Sequence, residues 1–347
     1  MSRALVRIGL GVITVVLTLG LFAAPLAAQA QAPGKVARVG YVFARVSSAD
    51  QRLWDAARQG LRELGYVEGQ NITLEVRWAD GQSELLPEIV AEVVRSKVDV
   101  LVVATTPGAL AAKNATRTIP IVFVSVGDPV GNGLVASLAR PGANLTGLGL
   151  LNPEISGKRL ELLKPTPGWV MRRGASGESL PSISRVAVLT NPGNPVHAVF
   201  WRETHTAAQT LGLQLQPIGV RSPEDFDEAF WAAARGRANA LLAFDDALTA
   251  GYRARLVALA AKYRLPAMYG FREFPEAGGL LSYGPNLLDQ YRRTATYVDR
   301  ILRGTRPSDL PVEQPTKFEL VINRRTAQGL GLVIPPSVLA RADQVIE

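Results

Sequence analysis

The sequence of 347 residues contains no cysteine. Without cysteine the chain has no disulfide, no thiol nucleophile and no thiolate metal ligand. Histidine is almost as scarce, since the sequence has two, His197 and His205. They lie eight residues apart on one predicted helix, whereas a helical metal-binding pair needs a spacing of four. We therefore predict no metal site, and a surface or capping role for both histidines.

Long apolar runs and basic clusters are also missing after the first thirty residues. No later segment has 18 consecutive apolar residues, so the sequence predicts no membrane-spanning helix there. The net charge is +8, yet no run of five basic residues occurs. A nucleic-acid-binding protein is expected to concentrate its Lys and Arg in a stripe. We therefore predict an arginine-rich solvated surface and no nucleic-acid partner.

The first thirty residues have the pattern of a secretory leader. Arg3 and Arg7 precede an uncharged apolar segment at 8–22, and Ala28-Gln29-Ala30 supplies a small-x-small cleavage site. The apolar segment is shorter than the ~20 residues that a membrane span needs. We predict a signal peptide over 1–30 that is cleaved near Ala30. Since no cysteine follows that site, we expect the exported chain to carry no lipid anchor.

Strand and helix patterns alternate along the mature chain, which is typical of parallel sheets with crossover helices. The segments "VARVGYVFA", "VDVLVVA" and "IPIVFVSV" are predicted buried strands, and the pattern restarts at "SRVAVLT". Two successive units of similar size predict two α/β lobes with a cleft between them. We place the first lobe at 35–152 with about 285–305, and the second at 153–284 with about 316–347.

Two glycine-rich segments interrupt this alternation. In "VFVSVGDPVGNGL", residues 122–134, an apolar strand opens through glycines into a helix-like pattern from Leu134, as at many ligand sites of open sheets. It lacks both the Gly-Lys-Ser/Thr ending of a phosphate-binding loop and the G-x-G-x-x-G spacing of a dinucleotide site. We expect it to lie at a ligand site. Residues 165–184 have no period and predict an exposed loop that is an insertion.

Polar and aromatic residues end several predicted strands at what should be one edge of each sheet. Threonine hydroxyls and the free N–H groups of a helix start suit a carboxylate, and an aspartate suits a ligand ammonium or hydroxyl. Each also has a structural alternative, because Thr, Asn and Asp cap helices and aromatic rings pack in cores. One of the two adjacent aspartates is expected to be a cap. The ligand-binding candidates are Phe43, Thr105, Thr106, Asp128, Asn191, Asp245, Asp246 and Tyr269.

Several long segments read like signatures of one family. They include "GLRELGYVEGQNITLEVRWADG", "IPIVFVSVGDPVGNGLVASLARPGANLTGL", "SGKRLELLK" and "LPAMYGFREFPEAGGLLSYGPN". With these segments the chain resembles the solute-binding proteins of bacterial ABC importers, in the family whose named members take up tryptophan and other aromatic amino acids. Two departures are the length of 165–184 and the segment "FDDALTAG", which differs from the family's usual loop.

The resemblance implies the type I periplasmic binding protein fold, with two Rossmann-like α/β lobes of parallel sheets joined by a hinge. It implies a periplasmic location, a small-molecule ligand, ABC permease subunits in the inner membrane as partners, and no cofactor. An amino acid is the implied ligand, with an aromatic one as the first choice. The residues it would place on the ligand are Thr105, Thr106 and Asp128 from the first lobe and Asn191, Asp245 or Asp246, and Tyr269 from the second.

A periplasmic enzyme on the same two-lobe scaffold is the alternative, using Asp128, Asp245 and Asp246. Fold alone does not decide between binding and catalysis. No nucleophile–base pair and no metal constellation is recognisable in the sequence, so we assign no catalytic residue and favour binding. A ligand-sensing subunit of a membrane receptor is a third possibility.

Overall fold

A computed structural model describes residues 36–150, 154–164, 170–173, 178–179 and 183–347. The predicted signal peptide at 1–30 and parts of the predicted loop at 165–184 lie outside these residues.

The first sheet is built from residues 37–149, whose strands alternate with helices. The elements are β1 (Ala37–Phe43), α1 (Ser47–Glu63), β2 (Ile72–Trp78), α2 (Leu86–Arg95), β3 (Val100–Ala104), α3 (Thr105–Ala115), β4 (Ile121–Val126) and β5 (Leu145–Gly149). All five strands are parallel, in the order β2-β1-β3-β4-β5. Alternate residues of β1 face different apolar layers, with Tyr41 and Phe43 in one and Val42 in the other. The sheet is therefore covered on both faces, as parallel sheets usually are.

The remaining elements form a second, larger sheet, the helices around it and a small three-stranded sheet. They are α4 (Glu154–Leu163), β6 (Val170–Arg173), β7 (Glu178–Ser179), β8 (Arg185–Thr190), α5 (Val196–Leu211), β9 (Gln214–Gly219), α6 (Asp225–Arg235), β10 (Ala240–Ala243), α7 (Ala247–Gly251), α8 (Arg253–Lys262), β11 (Ala267–Tyr269), α9 (Glu273–Glu276), β12 (Leu281–Gly284), α10 (Leu287–Leu302), β13 (Glu319–Asn323), α11 (Arg324–Leu330), β14 (Leu332–Val333), α12 (Pro336–Leu339) and β15 (Gln344–Ile346).

The second sheet repeats the strand order of the first. Its parallel part runs β9-β8-β10-β11-β12, and β13 and β15 extend the β12 edge. Strand β13 is antiparallel to β12, and β15 is parallel to β13. The same order in both sheets places the carboxyl ends of corresponding strands at equivalent edges.

The chain passes between the two sheets three times. It leaves β5 for α4, which packs against α5. It returns after β12 to α10, which packs against α1 and β4, and then enters the second sheet again at β13. The predicted fold class, two α/β lobes with parallel sheets, is confirmed by this arrangement.

Three local predictions differ from the structure. No helix starts at Leu134, because Gly133 takes a φ of 66° and the N–H groups of Leu134 and Val135 turn back to the carbonyl of Pro129. The helix predicted over 247–263 is divided at Tyr252 into α7 and α8. Within 165–184, β6 and β7 pair with each other and β6 pairs with β14, whereas the sequence predicted a loop.

Candidate functional site

A small cavity lies between the carboxyl ends of the two sheets. The first sheet contributes residues that end or follow β1, β3 and β4, namely Arg45, Thr105, Thr106, Ser125 and Gly127. In the strand order β2-β1-β3-β4-β5, β2 is added on one side of β1, and β3, β4 and β5 are added on the other side. The order of the strands therefore reverses between β1 and β3. Open α/β sheets bind their ligands at this edge and next to this reversal.

The second sheet faces the first across the cavity. Its contribution is Asn194, which follows β8, Asp245 and Asp246, which follow β10, and Phe271, which follows β11. Tyr291 of α10 completes the polar and aromatic part of the wall. Corresponding strand ends of the two lobes therefore meet at one place.

The lobes are in contact across this cleft. Asp50 of α1 accepts a hydrogen bond from Arg253 of α8 at 3.3 Å, and Arg52 pairs with Glu276 at 3.0 Å. The guanidinium of Arg45 lies 5.4 Å from the ring centroid of Phe271. The cavity volume is about 20 Å³, measured as the space open to the centre of a water molecule. Since one water needs about 10–15 Å³ on that measure, the lobes leave space for little more than one water between them.

Arg45 is a buried cation at the wall of the cavity, with 4% of its surface exposed. Its Nη2 donates to Asp50 Oδ1 at 3.0 Å, whereas its Nε has no hydrogen-bond partner among the described residues. Burial acts to lower the pKa of Arg45, but Asp50, with smaller contributions from Glu273 and Tyr291, outweighs it and the net shift is upward. Arg45 is therefore a permanently charged group with an unused donor at the cavity.

Two strained residues lie beside Arg45. Thr105 has a φ of 69° and Ser125 a φ of 58°, in the left-handed region that β-branched and most other residues avoid. Such strain costs on the order of 1–3 kcal/mol and concentrates at functional sites. The Thr105 hydroxyl has no hydrogen-bond partner within the described part of the chain. Thr106, in contrast, accepts from the N–H of Gly127 at 3.2 Å and thereby ties α3 to the end of β4.

The two adjacent aspartates have different surroundings. Asp246 caps α7, since its Oδ1 accepts from Leu248 N at 2.9 Å, and Asn194 donates to its Oδ2 at 2.9 Å. Asp245 is paired with Arg159 of α4, whose Nη2 lies 2.8 Å from Asp245 Oδ2. Both aspartates line the cavity.

His197 is buried at this edge, and the predicted surface role is wrong for it. Its Nδ1 accepts from Asn191 N at 2.8 Å, and its Nε2 lies 3.2 Å from the carbonyl oxygen of Asp245. The ring packs edge-on against Phe244. His197 therefore holds the loops after β8 and β10 together. Among the described residues no group of three or more His, Cys, Asp and Glu side chains is arranged to hold a metal ion.

Four of the predicted binding residues line the cavity and four do not. The lining residues are Thr105, Thr106, Asp245 and Asp246. Phe43 lies below it, stacked between Trp78 and Tyr291 with ring centroids 4.3 and 5.5 Å away. Tyr269 is fully buried against Phe274, and this burial raises the pKa of its hydroxyl.

The side chains of the other two predicted residues, Asp128 and Asn191, form hydrogen bonds within the loops that follow their strands. Asp128 Oδ1 accepts from the N–H of Gly131 at 2.8 Å, which closes the turn after β4. Asn191 donates to Asp246 Oδ1 at 3.1 Å and accepts from Gly193 N. Both side chains shape the loops at the cavity edge without lining the cavity.

Several residues at or next to the cavity were not among the predicted ones, and they include Arg45, Ser125, Arg159 and Tyr291. Arg45 had a readable signal, because it follows β1 at the same sheet edge as Thr105. Ser125 also had one, as a polar residue inside a buried strand. Arg159 and Tyr291 lie within helices far away in the sequence, and nothing in their local pattern distinguishes them from surface residues.

Comparisons with known proteins agree over most of the chain. Residues 47–346 match the family of ABC transporter substrate binding proteins. A tyrosine-binding protein of Clostridioides difficile (strain R20291) is 25% identical over 283 residues, which are 80% of this chain and 77% of the relative.

Two solved structures are similar at the level of both sequence and fold. A conserved domain protein from Vibrio cholerae is 30% identical with a TM-score of 0.80, over 90% of this chain and 100% of that chain. An ABC domain from Streptococcus pneumonia, in complex with L-Trp, is 25% identical with a TM-score of 0.78, over 89% and 99%.

More distant periplasmic binding proteins share the fold alone. Within the described residues, none of the helices has the length and apolarity that crossing a membrane requires. The family match extends from the first helix to the last strand of the fold. The chain belongs to the ABC transporter substrate binding proteins, a family of solute-binding proteins rather than enzymes.

Proposed function

We propose that this protein is the exported solute-binding component of an ABC importer and that it holds an aromatic α-amino acid between its lobes. The observation that carries the proposal is the distribution of unused hydrogen-bonding groups at the cavity. Arg45 Nε and the Thr105 hydroxyl lie on the first-lobe side, and Asp245 Oδ1 lies on the second-lobe side. Buried polar groups are normally paired, so unpaired ones at a cavity point to a ligand.

The polarity of these groups matches the two ends of an amino acid. A guanidinium N–H and a hydroxyl donate to a ligand carboxylate, and a carboxylate oxygen accepts from a ligand ammonium. Phe271 and Tyr291 supply aromatic surface beside them. The L-Trp complex and the tyrosine-binding relative support an aromatic side chain on the ligand.

Entry of such a ligand requires the lobes to separate. Ligand pockets for small molecules measure about 300–1,000 Å³, far more than the present cavity. The three connections between the lobes are the natural hinge, and closure over the ligand creates a shape that permease subunits recognise. The secretory pattern of residues 1–30 supports a periplasmic location.

Thermal unfolding of the purified mature protein against a panel of amino acids, sugars and small acids tests this function. A ligand at 100 times its dissociation constant adds about 2.7 kcal/mol of stability. For a chain of this size that corresponds to a rise of roughly 5 °C in Tm. We expect the rise with L-tyrosine or L-tryptophan, and recovery of the compound unchanged.

Matched variants connect the result to the cavity. Arg45→Gln should lower the rise, whereas Arg58→Gln, on the exposed surface of α1, should not. A rise with sugars alone would contradict the proposal, and so would consumption of the compound.

A further inference from the structure

Asp245 and Asp246 are neighbours in the sequence, but they have different capacity to bind a ligand. Both carboxylate oxygens of Asp246 accept hydrogen bonds, Oδ1 from Leu248 N and Asn191 and Oδ2 from Asn194. Asp245 Oδ2 accepts from Arg159, but its Oδ1 has no partner in the described residues. Only Asp245 therefore has a carboxylate oxygen left for a ligand at the cavity wall.

Arg159 holds the Asp245 carboxylate from behind. It is 2% exposed, and it reaches from α4 to the end of the second sheet. Its Nε donates to the carbonyl of Tyr283 at 2.8 Å, and its Nη2 donates to Asp245 Oδ2 at 2.8 Å. The guanidinium is thus fixed at two points, which fixes the carboxylate plane as well.

Two glycines leave room for this ion pair. A Cβ on Gly270 would lie 1.5 Å from Asp245 Oδ1 and 2.5 Å from Arg159 Nη2. A Cβ on Gly284 would lie 1.8 Å from the carbonyl oxygen of Gly270 and 3.3 Å from Arg159 Nη2. The absence of a side chain at Gly270 therefore leaves the space that the carboxylate occupies, and Gly284 keeps the backbone beside it close.

We propose that Asp245 selects ligands that carry a free ammonium group. Arg159 is the positioning residue that fixes the orientation of Asp245 and of its unpaired Oδ1. The inference rests on the proposed function, which it deepens by assigning the ammonium contact. The formal charges of Arg159, Asp245 and Asp246 sum to one negative charge. An ammonium that loses its water on closure regains a charged acceptor there, whereas an uncharged group leaves Asp245 Oδ1 unpaired.

Paired ligands that differ only in the ammonium test the assignment. L-tyrosine is compared with 3-(4-hydroxyphenyl)propionate, and L-tryptophan with indole-3-propionate, by titration calorimetry. A hydrogen bond to a charged group contributes about 1.5–3 kcal/mol, which is a preference of roughly 10- to 150-fold for the amino acid. Asp245→Asn should remove most of that preference while the des-amino analogues bind about as before. Asp227→Asn, an exposed aspartate of the same lobe, is the matched control and should keep it.

The positioning role has its own readout. Arg159→Gln should lose the preference for the amino acid, as Asp245→Asn does. Arg159→Lys should lose part of this preference, because the lysine ammonium lacks the planar guanidinium that donates to Tyr283 and Asp245 in a fixed geometry. Circular dichroism identifies folded variants, and Arg159→Lys carries this test where Arg159→Gln does not fold. In the Asp245→Asn background, Arg159→Lys should have no further effect on the preference.

The outcomes separate the two proposals. If the wild-type protein binds neither the amino acids nor their analogues, the proposed function fails. If it binds them and Asp245→Asn keeps the wild-type preference, the ammonium assignment is overturned while the proposed function stands. If Arg159→Lys keeps the full preference, Arg159 is not a positioning residue.

Discussion

A single atom decides whether the buried ion pair of Arg159 and Asp245 has space. Gly270 follows β11, and the position that its Cβ would occupy coincides with Asp245 Oδ1, at 1.5 Å. No L-residue with a side chain fits there unless the carboxylate or the strand end moves. The glycine is therefore required by a contact that is remote in the sequence, and its own neighbours do not reveal it.

We predict that Gly270→Ala lowers the free energy of unfolding by about 1–3 kcal/mol, because overpacking displaces the ion pair. It should weaken ligand binding as well. Gly329→Ala is the matched control, since a Cβ at that helical position meets no atom within 4 Å. The control should be neutral or stabilising by up to about 1 kcal/mol. Urea unfolding measures both, and equal effects of the two substitutions would contradict the prediction.

At the scale of elements, asparagines join helix starts to the second sheet. Asn323, the last residue of β13, caps α11 by accepting from Thr326 N at 2.9 Å. Its amide also donates to the carbonyl of Pro275 at 2.9 Å, which ties α11 to α9. One buried side chain thus satisfies a helix start and a loop carbonyl together.

Asn323→Ala should lower the free energy of unfolding by about 1–3 kcal/mol, the combined cost of a lost cap and an unpaired buried carbonyl. Asn323→Ser keeps an acceptor for the helix start and should recover about 1 kcal/mol of the loss. Chemical denaturation of both variants measures the difference. A serine variant as unstable as the alanine variant would show that the cap contributes little.

The elements also show where sequence patterns work and where they fail. Strands such as β3 and β4 were predictable, because fully buried parallel strands are nearly continuous apolar runs rich in Val and Ile. The helix predicted from Leu134 was wrong. Leu134 and Val135 are buried, but Gly133 takes a φ of 66° and the N–H groups of both apolar residues turn back to Pro129. The spacing of apolar residues predicts which of them are buried. It does not predict whether the backbone between two turns forms a helix.

At the scale of the whole molecule, closure is supported by ion pairs between the lobes. Asp50 accepts from Arg45 of its own lobe and from Arg253 of the other lobe, and it is nearly inaccessible to solvent. Separation of the lobes would expose this cluster to water. In the hinge motion proposed above, the protein's own charges would therefore favour closure alongside the ligand.

We predict that Asp50→Asn weakens ligand binding by about tenfold or more, because closure would then bury Arg45 and Arg253 without their carboxylate. Opening lets both arginines hydrate, so the variant should shift its conformation rather than unfold. Small-angle X-ray scattering at saturating ligand should report a larger radius of gyration than for the wild type. Arg58→Gln, which breaks an exposed pair within the first lobe, is the control. Wild-type affinity in Asp50→Asn would refute a role of this cluster in closure.

The sequence by itself determined the two-lobe α/β architecture and the family, and it predicted a ligand site at the sheet edge where the cavity lies. These conclusions depend on local patterns and on long characteristic segments, which can be recognised in the amino-acid sequence. Only the tertiary structure decided which residues of that edge line the cavity. Tyr291 lines it from a helix and Arg159 pairs with the lining residue Asp245, whereas Phe43 and Tyr269 pack in the core without lining it. The packing of helix α4 against the second sheet brings together Arg159 and Asp245, which are more than eighty positions apart. Which carboxylate oxygen remains unpaired therefore depends on packing, and no local pattern encodes it.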